Sequence, residues 1–424
     1  MQAGPGGRSP ALAASNAGFA SSPGDWGDIP LDDGALMAAA EQRTGLFDWG
    51  DDPTFRVGLG KLLAAVEAMG VAAKLRPIVA AHVIRLLATR LHLVDDERRN
   101  PEILAGRIER PLIVTGMPRT GTTWLYELLA LDPAARAPLD WEVQRPWPAP
   151  EAATYDTDPR IAEIEAENRA IVAGAPELAT MHNWHAKLPQ ECNAITALHF
   201  ASSNFWAVYS VPDYIRWLTE TRPEGVFNTH KRVLQQLQWK GPKGRWTLKS
   251  PPHILMLDEL VEAYPDACLI QTHRDPAKVV ASLANMIRSR RREKFADVPE
   301  MMDPKAIARS VFDHFGAGLE RAAESRRNPK IDALFFDVDY RDTIRDPIGV
   351  VRRIYDRFGF DFTRAFEERI AAHVAAPRET GDGRHHYELA EFGVADLDLE
   401  NQFPIYRARF GHMIADRPRP AGLP

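Results

Sequence analysis

Between Pro111 and Leu129 the chain reads PLIVTGMPRTGTTWLYELL. Leu112 to Val114 make a short apolar strand, Gly116 and Gly121 bracket a turn, and TTWLYELLALDP has the apolar spacing of a helix. A turn running from a strand into a helix start can cradle an anion. The first N–H groups of the helix have no partner within it, and its dipole adds positive potential. The two glycines allow close backbone approach, while Arg119 and the hydroxyls of Thr120, Thr122 and Thr123 supply further donors. Gly116, Gly121 and Thr123 have the spacing of the nucleoside triphosphate loop G-x-x-x-x-G-K-[ST], but Thr122 stands where that loop carries its lysine. With a cation inside the turn and none after the second glycine, the turn suits a smaller anion than a triphosphate with magnesium. This weakens a kinase reading.

The run CLIQTHRDPAKVVASLANM has the same order of strand, turn and helix. Arg274 follows a predicted strand, Asp275-Pro276 open a helix, and Ser282 lies about two turns along it.

The run PRTGTTW resembles the 5′-phosphosulfate loop of sulfotransferases that use 3′-phosphoadenosine 5′-phosphosulfate (PAPS), of common form P-[KR]-[ST]-G-T-T-[WL]. The R-[DN]-P-x-x-x-x-x-S pattern of the same family matches at Arg274 and Ser282. The resemblance runs from about Arg110 to Phe410 and is closest to bacterial-type members. It implies a P-loop-like parallel sheet flanked by helices, with PAPS as co-substrate. Arg119, Thr120, Gly121, Thr122 and Thr123 would hold the 5′-phosphosulfate, Trp124 the adenine, and Arg274 with Ser282 the 3′-phosphate. Arginine at 119 offers a planar fork that can bind two oxygens at once. A glycine- and cation-rich segment, Arg378 to Tyr387, would complete the 3′-phosphate site.

Sulfonate transfer needs a base for the acceptor proton and a cation for the leaving phosphate. The resemblance offers Lys249 as that cation. It offers two candidate bases: Glu142, by analogy with glutamate-using branches, and His253, displaced from the K-x-H pattern of histidine-using ones. Without catalysis, Glu142 would pair with Arg136 or Arg145, and His253 would cap a helix. His185 and Glu191, in the polar run HNWHAKLPQECN, are further candidates for the acceptor pocket. No metal is expected in the chemistry, and adjacent His385 and His386 would point apart in an extended chain.

These residues need elements to position them. Predicted strands at Trp246–Leu248, Cys268–Ile270 and ALFFDVDY alternate with helices, which implies a parallel sheet covered on both faces. Residues 1–30 read as a disordered tail and 31–108 as a helical region broken at Pro77. Residues 109–410 form the α/β domain, with a helical insertion at about 150–240. Phe200, Phe205, Trp206, Tyr209 and Trp217 in that insertion suit core packing and would also suit an apolar acceptor, a small molecule or a lipid. The basic run Arg288 to Lys294 reads as a solvated helix end.

A net charge of −6 over 424 residues argues against general affinity for nucleic acid. Two cysteines, Cys192 and Cys268, read as buried thiols of a reducing compartment. With no membrane span apparent, a cytoplasmic enzyme is expected; its oligomeric state, a homo-oligomer included, stays open. A non-catalytic nucleotide-binding protein is the remaining alternative, disfavoured by the intact Arg119, Lys249, Arg274 and Ser282.

Overall fold

The computed structural model describes residues 29–69, 72–174, 184–295, 298–376, 389–399 and 401–415. The expected N-terminal tail up to residue 28, Arg378 to Tyr387, and with them His385 and His386, lie outside the described residues.

Five strands, β1 (Leu112–Gly116), β2 (Ala135–Arg136), β3 (Arg245–Lys249), β4 (Cys268–His273) and β5 (Phe335–Asp339), form one sheet in the order β2-β3-β1-β4-β5. Every pairing is parallel. Alternate residues of a strand point to opposite faces, and in β1 and β4 every residue is buried, so each face must be covered. Leu112 and Val114 of β1 join Cys268 and Ile270 of β4 in one apolar cluster. That cluster includes Leu125 and Leu128 of α4 (Thr122–Ala130) and Val351 and Ile354 of α15 (Pro347–Phe358). Ile113, Leu248 and Leu269 face the other way, into the larger cluster.

The larger cluster is built from helices that the sheet alone would not need. N-terminal α1 (Asp33–Thr44), α2 (Phe55–Ala68) and α3 (Ala72–Arg99) share it with the helices of the insertion. These are α7 (Asn193–Ala197), α8 (Ser203–Tyr209), α9 (Pro212–Glu220) and α10 (Val226–Trp239). Two further helices, α5 (Asp140–Gln144) and α6 (Pro159–Gly174), precede them. At Gly58 a Cβ would come within 2.3 Å of the Phe200 carbonyl oxygen, so α2 touches the insertion backbone to backbone. Buried Arg90 of α3 donates to the Leu198 carbonyl at 3.0 Å and lies over the Phe55 ring. The N-terminal helices are thus part of the insertion's core.

Beyond β3 come a 3-10 turn, Pro251–Met256, and α11 (Leu257–Ala263). After β4 comes α12 (Pro276–Phe295), then α13 (Pro304–Ser325); β5 leads to α14 (Tyr340–Arg345) and α15. Last come α16 (Arg364–Ala375) and α17 (Pro404–Ile414).

Two expectations change. Pro77 sits inside α3, where its missing N–H costs one main-chain bond without ending the helix. The basic run is not a solvated helix end throughout. Arg291 is buried and donates to the carbonyls of Trp206 and Ala207, and Arg288 pairs with Glu391 at 2.5 Å. Among the described residues one helical stretch, Arg76–Arg99, is long and apolar enough to cross a membrane, but 67% of its apolar window is buried inside the fold.

Candidate active site

Ligands of a parallel sheet collect at the carboxyl ends of the strands, most readily where neighbouring connections leave in opposite directions. Central β1 lies between β3 and β4, and the candidate residues follow the ends of these strands. Gly116 ends β1 with φ +128, and a Cβ there would lie 2.8 Å from the Thr272 carbonyl oxygen of β4. Arg119 holds φ +67, a left-handed conformation uncommon outside glycine, and Gly121 holds φ +83 at the cap of α4. The first main-chain bond of α4 runs from Leu125 N–H to the Gly121 carbonyl at 3.0 Å. N–H groups at a helix start point out of the helix, where an anion can accept from them.

The two anion sites meet in space. Arg119 Nε donates to Ser282 Oγ at 3.0 Å, and Arg274 Nη1 donates to the Arg119 carbonyl at 2.7 Å. Residues more than 150 positions apart therefore brace one loop. Thr123 is half-buried and accepts from Lys249 Nζ at 3.3 Å. Thr122 is buried at the first helical position. Thr120 is turned inward. Its hydroxyl lies 2.6 Å from the Met117 carbonyl and 2.5 Å from Thr272 Oγ1, so it braces the turn rather than facing an anion. Trp124 is half-buried, donates from Nε1 to the Thr343 carbonyl at 3.3 Å and stacks on His373 at 5.5 Å.

The cation and the carboxylates sort themselves by burial. Lys249, at the end of β3, is buried and pairs with Glu191 at 2.5 Å; the Glu191 side chain is 28% exposed. Asn193 Nδ2 donates to Glu191 Oε2 at 3.0 Å, which fixes the carboxylate at two points.

Glu142 is not brought to the loop. Its side chain is 0% exposed and accepts from Arg136 at 2.6 Å, the Leu139 N–H at 2.9 Å and the Tyr155 hydroxyl at 2.7 Å. None of these donors belongs to the phosphate turn. A carboxylate so enclosed has its acceptor positions engaged by an arginine, a main-chain N–H and a phenol, as a structural ion-pair partner does. His253 is equally enclosed. Burial, aided by His230, pushes its imidazole well below the ordinary range, and both ring nitrogens lack hydrogen-bond partners. It caps no helix. His185 is exposed, 3.8 Å from Glu165. The aromatic run is core: Phe200, Phe205, Trp206 and Tyr209 are buried and Trp217 packs against them.

Sequence reading missed Tyr340 and Thr272. The Tyr340 ring lies 4.4 Å from the Arg274 guanidinium and would be touched by a Cβ on Gly121, so it walls the turn. Its signal is positional: it directly follows β5, as Arg274 directly follows β4.

The sequence profile described as the sulfotransferase family matches residues 111–364. The fold is similar to that of sulfotransferase STF9 from Mycobacterium avium, with 32% identity, a TM-score of 0.79, and coverage of 91% of this chain and 97% of that one. It is also similar to sulfotransferase STF1 from Mycobacterium tuberculosis H37Rv, with 29% identity, a TM-score of 0.75, and coverage of 90% and 99%. No curated protein matches the sequence.

Proposed function

This chain belongs to the sulfotransferase family, and we propose that its donor is PAPS and its acceptor a hydroxyl, less readily an amine, of a small molecule or lipid. The observation that carries the donor assignment is the convergence of Arg119, Ser282 and Arg274 on one loop. A simpler nucleotide would need only the turn and the bare start of α4. A second arginine and serine beside them suit a ligand with a further phosphate.

The roles follow from position. The turn N–H groups and Arg119 bind the sulfonate-bearing phosphate, and Arg274 with Ser282 the 3′-phosphate. An acceptor oxygen attacks sulfur in line with the bridging oxygen. The new S–O bond forms from the acceptor lone pair, while the bridging S–O pair leaves with the nucleotide phosphate. Lys249 touches Thr123 of the turn and Glu191 at once, so its ammonium can balance charge growing on the leaving oxygen. Glu191 is the carboxylate placed to accept the acceptor's proton. The reaction is assigned to the cytoplasm, which suits two buried free thiols.

Calorimetry with the desulfated product, PAP, in the presence of chelator tests the donor. Binding of PAP without metal, tighter than ATP with magnesium, is expected. Binding that requires a divalent ion, or a preference for ATP, would overturn the assignment.

A further inference from the structure

One residue beyond Glu191 and four beyond Lys249, the chain enters a second polar cluster. Cys192 lies at the start of α7, His230 on α10, and His253 in the 3-10 turn after β3. All three are buried, none more than 1% exposed. Their ligand atoms, the Cys192 sulfur and one ring nitrogen from each histidine, lie within 4.8 Å of one another. The walls are apolar: the Phe227 ring stands edge-on to both imidazoles, 5.9 Å from His230 and 5.0 Å from His253.

Three ring nitrogens in this space, His230 Nε2 and both of His253, have no hydrogen-bond partner. A buried polar atom without a partner is costly, and cores ordinarily avoid or hydrate it. Two such imidazoles facing a thiol are better accounted for by a guest that takes lone pairs from all three. The other nitrogen of His230, Nδ1, lies 2.7 Å from the Tyr264 hydroxyl. Metal-ligating histidines are oriented in this way, by an outer partner on the second nitrogen.

We propose that Cys192, His230 and His253 form a structural metal site for a zinc-class ion. One sulfur and two imidazoles are the donors that zinc and copper(I) favour. A zinc ion held by these three donors would set its ligand atoms about 3.3–3.6 Å apart, so small side-chain rotations bring them to it. Ligation replaces the thiol proton with the metal; the proton leaves to solvent and nothing is oxidised. Full enclosure marks the site as structural, filled as the chain folds. It would tie the insertion, through Cys192 and His230, to the end of β3, through His253. The Cys192 N–H donates to the Lys249 carbonyl at 2.9 Å. The ion would therefore also fix the spacing of Lys249 and Glu191.

The test is the metal content of the full-length protein, expressed with supplemental zinc and measured by plasma mass spectrometry after dialysis. About one zinc per chain is expected, falling at least tenfold in Cys192→Ser and His253→Gln. Should those variants not fold, wild-type chain unfolded with chelator and refolded with zinc, with cobalt(II) or with neither answers the same question. The zinc form should melt higher than the metal-free form, and the cobalt form should show a thiolate charge-transfer band. A zinc-free wild type whose melting temperature is unmoved by refolding with zinc overturns the proposal. So does zinc that persists in a folded Cys192→Ser/His253→Gln double variant. PAP calorimetry on the same preparations keeps the readings apart: lost PAP binding with zinc present sinks only the donor assignment, and a zinc-free wild type that binds PAP and whose melting temperature zinc does not move sinks only the metal site.

Discussion

Replacing Arg274 with alanine removes three interactions. Nη1 loses the Arg119 carbonyl at 2.7 Å, the guanidinium leaves the Tyr340 ring at 4.4 Å, and the proposed 3′-phosphate loses its arginine. The first two shape the turn, so their loss falls on any nucleotide that binds there. The third falls only on a nucleotide with a 3′-phosphate. A charge-assisted hydrogen bond contributes about 1.5–3 kcal/mol. PAP should therefore lose about 1.5–3 kcal/mol more than adenosine 5′-phosphosulfate, which lacks the 3′-phosphate; that is roughly one to two decades in the ratio of Kd values. Calorimetry of both nucleotides on wild type and variant, with chelator present, closes the cycle and cancels the shared loop effect. Arg274→Lys should fall between, because it keeps the charge and loses the planar fork. Equal losses for the two nucleotides would show that Arg274 serves the turn alone and would refute the two-site argument.

Glu191→Gln should lower turnover by about 10² to 10⁴ while PAP affinity stays within a few-fold, read by sulfonate transfer and calorimetry on the same protein. Glu142→Gln should do the reverse, keeping chemistry in the molecules that stay folded but leaving the Arg136 guanidinium buried without its anion. A loss of about 3–5 kcal/mol is expected in denaturant unfolding. His92, stacked on Trp147 at 3.7 Å, is pushed down to about 4 by burial. Its folded value lies below the unfolded one near 6.5, so the unfolded chain takes up the proton first. The stability this neutral ring contributes is whole above about pH 6.5 and is lost as pH falls toward about 4, amounting to roughly 2–3 kcal/mol. Melting curves across that window should flatten in His92→Gln.

The candidate anion loop was legible because its determinants are local. PRTGTTW and RDPAKVVAS each keep a strand end, a turn and a helix start in one short run, and the parallel sheet then brings the runs together. The difference in burial between Glu142 and Glu191 was not legible, because both are carboxylates in polar connections, and sequence does not say which one an arginine will enclose. Arg136 reaches Glu142 because only three residues separate the end of β2 from the start of α5. Thr120 read as a donor to ligand and proved to be a brace, since the direction of a hydroxyl in a turn depends on the neighbouring strand, here Thr272. The Cys192, His230 and His253 cluster draws one ligand from each of three separate segments, and no short spacing announces it.

The ends of four strands are committed to the candidate anion loop and its walls: the turn after β1, Lys249, Arg274 and Tyr340. On the proposed reading the sheet has little left with which to recognise an acceptor, and that discrimination would fall to helices. Those helices do not hang free, since the insertion shares one continuous apolar core with the N-terminal layer. Diversification of this lineage toward new acceptors would thus run through residues that also hold the fold together. Each exploratory substitution would draw on the same narrow reserve of stability, typically about 5–15 kcal/mol for a whole domain. Donor use can remain constant through such change while acceptor choice moves slowly, at a pace set by how much repacking the shared core tolerates.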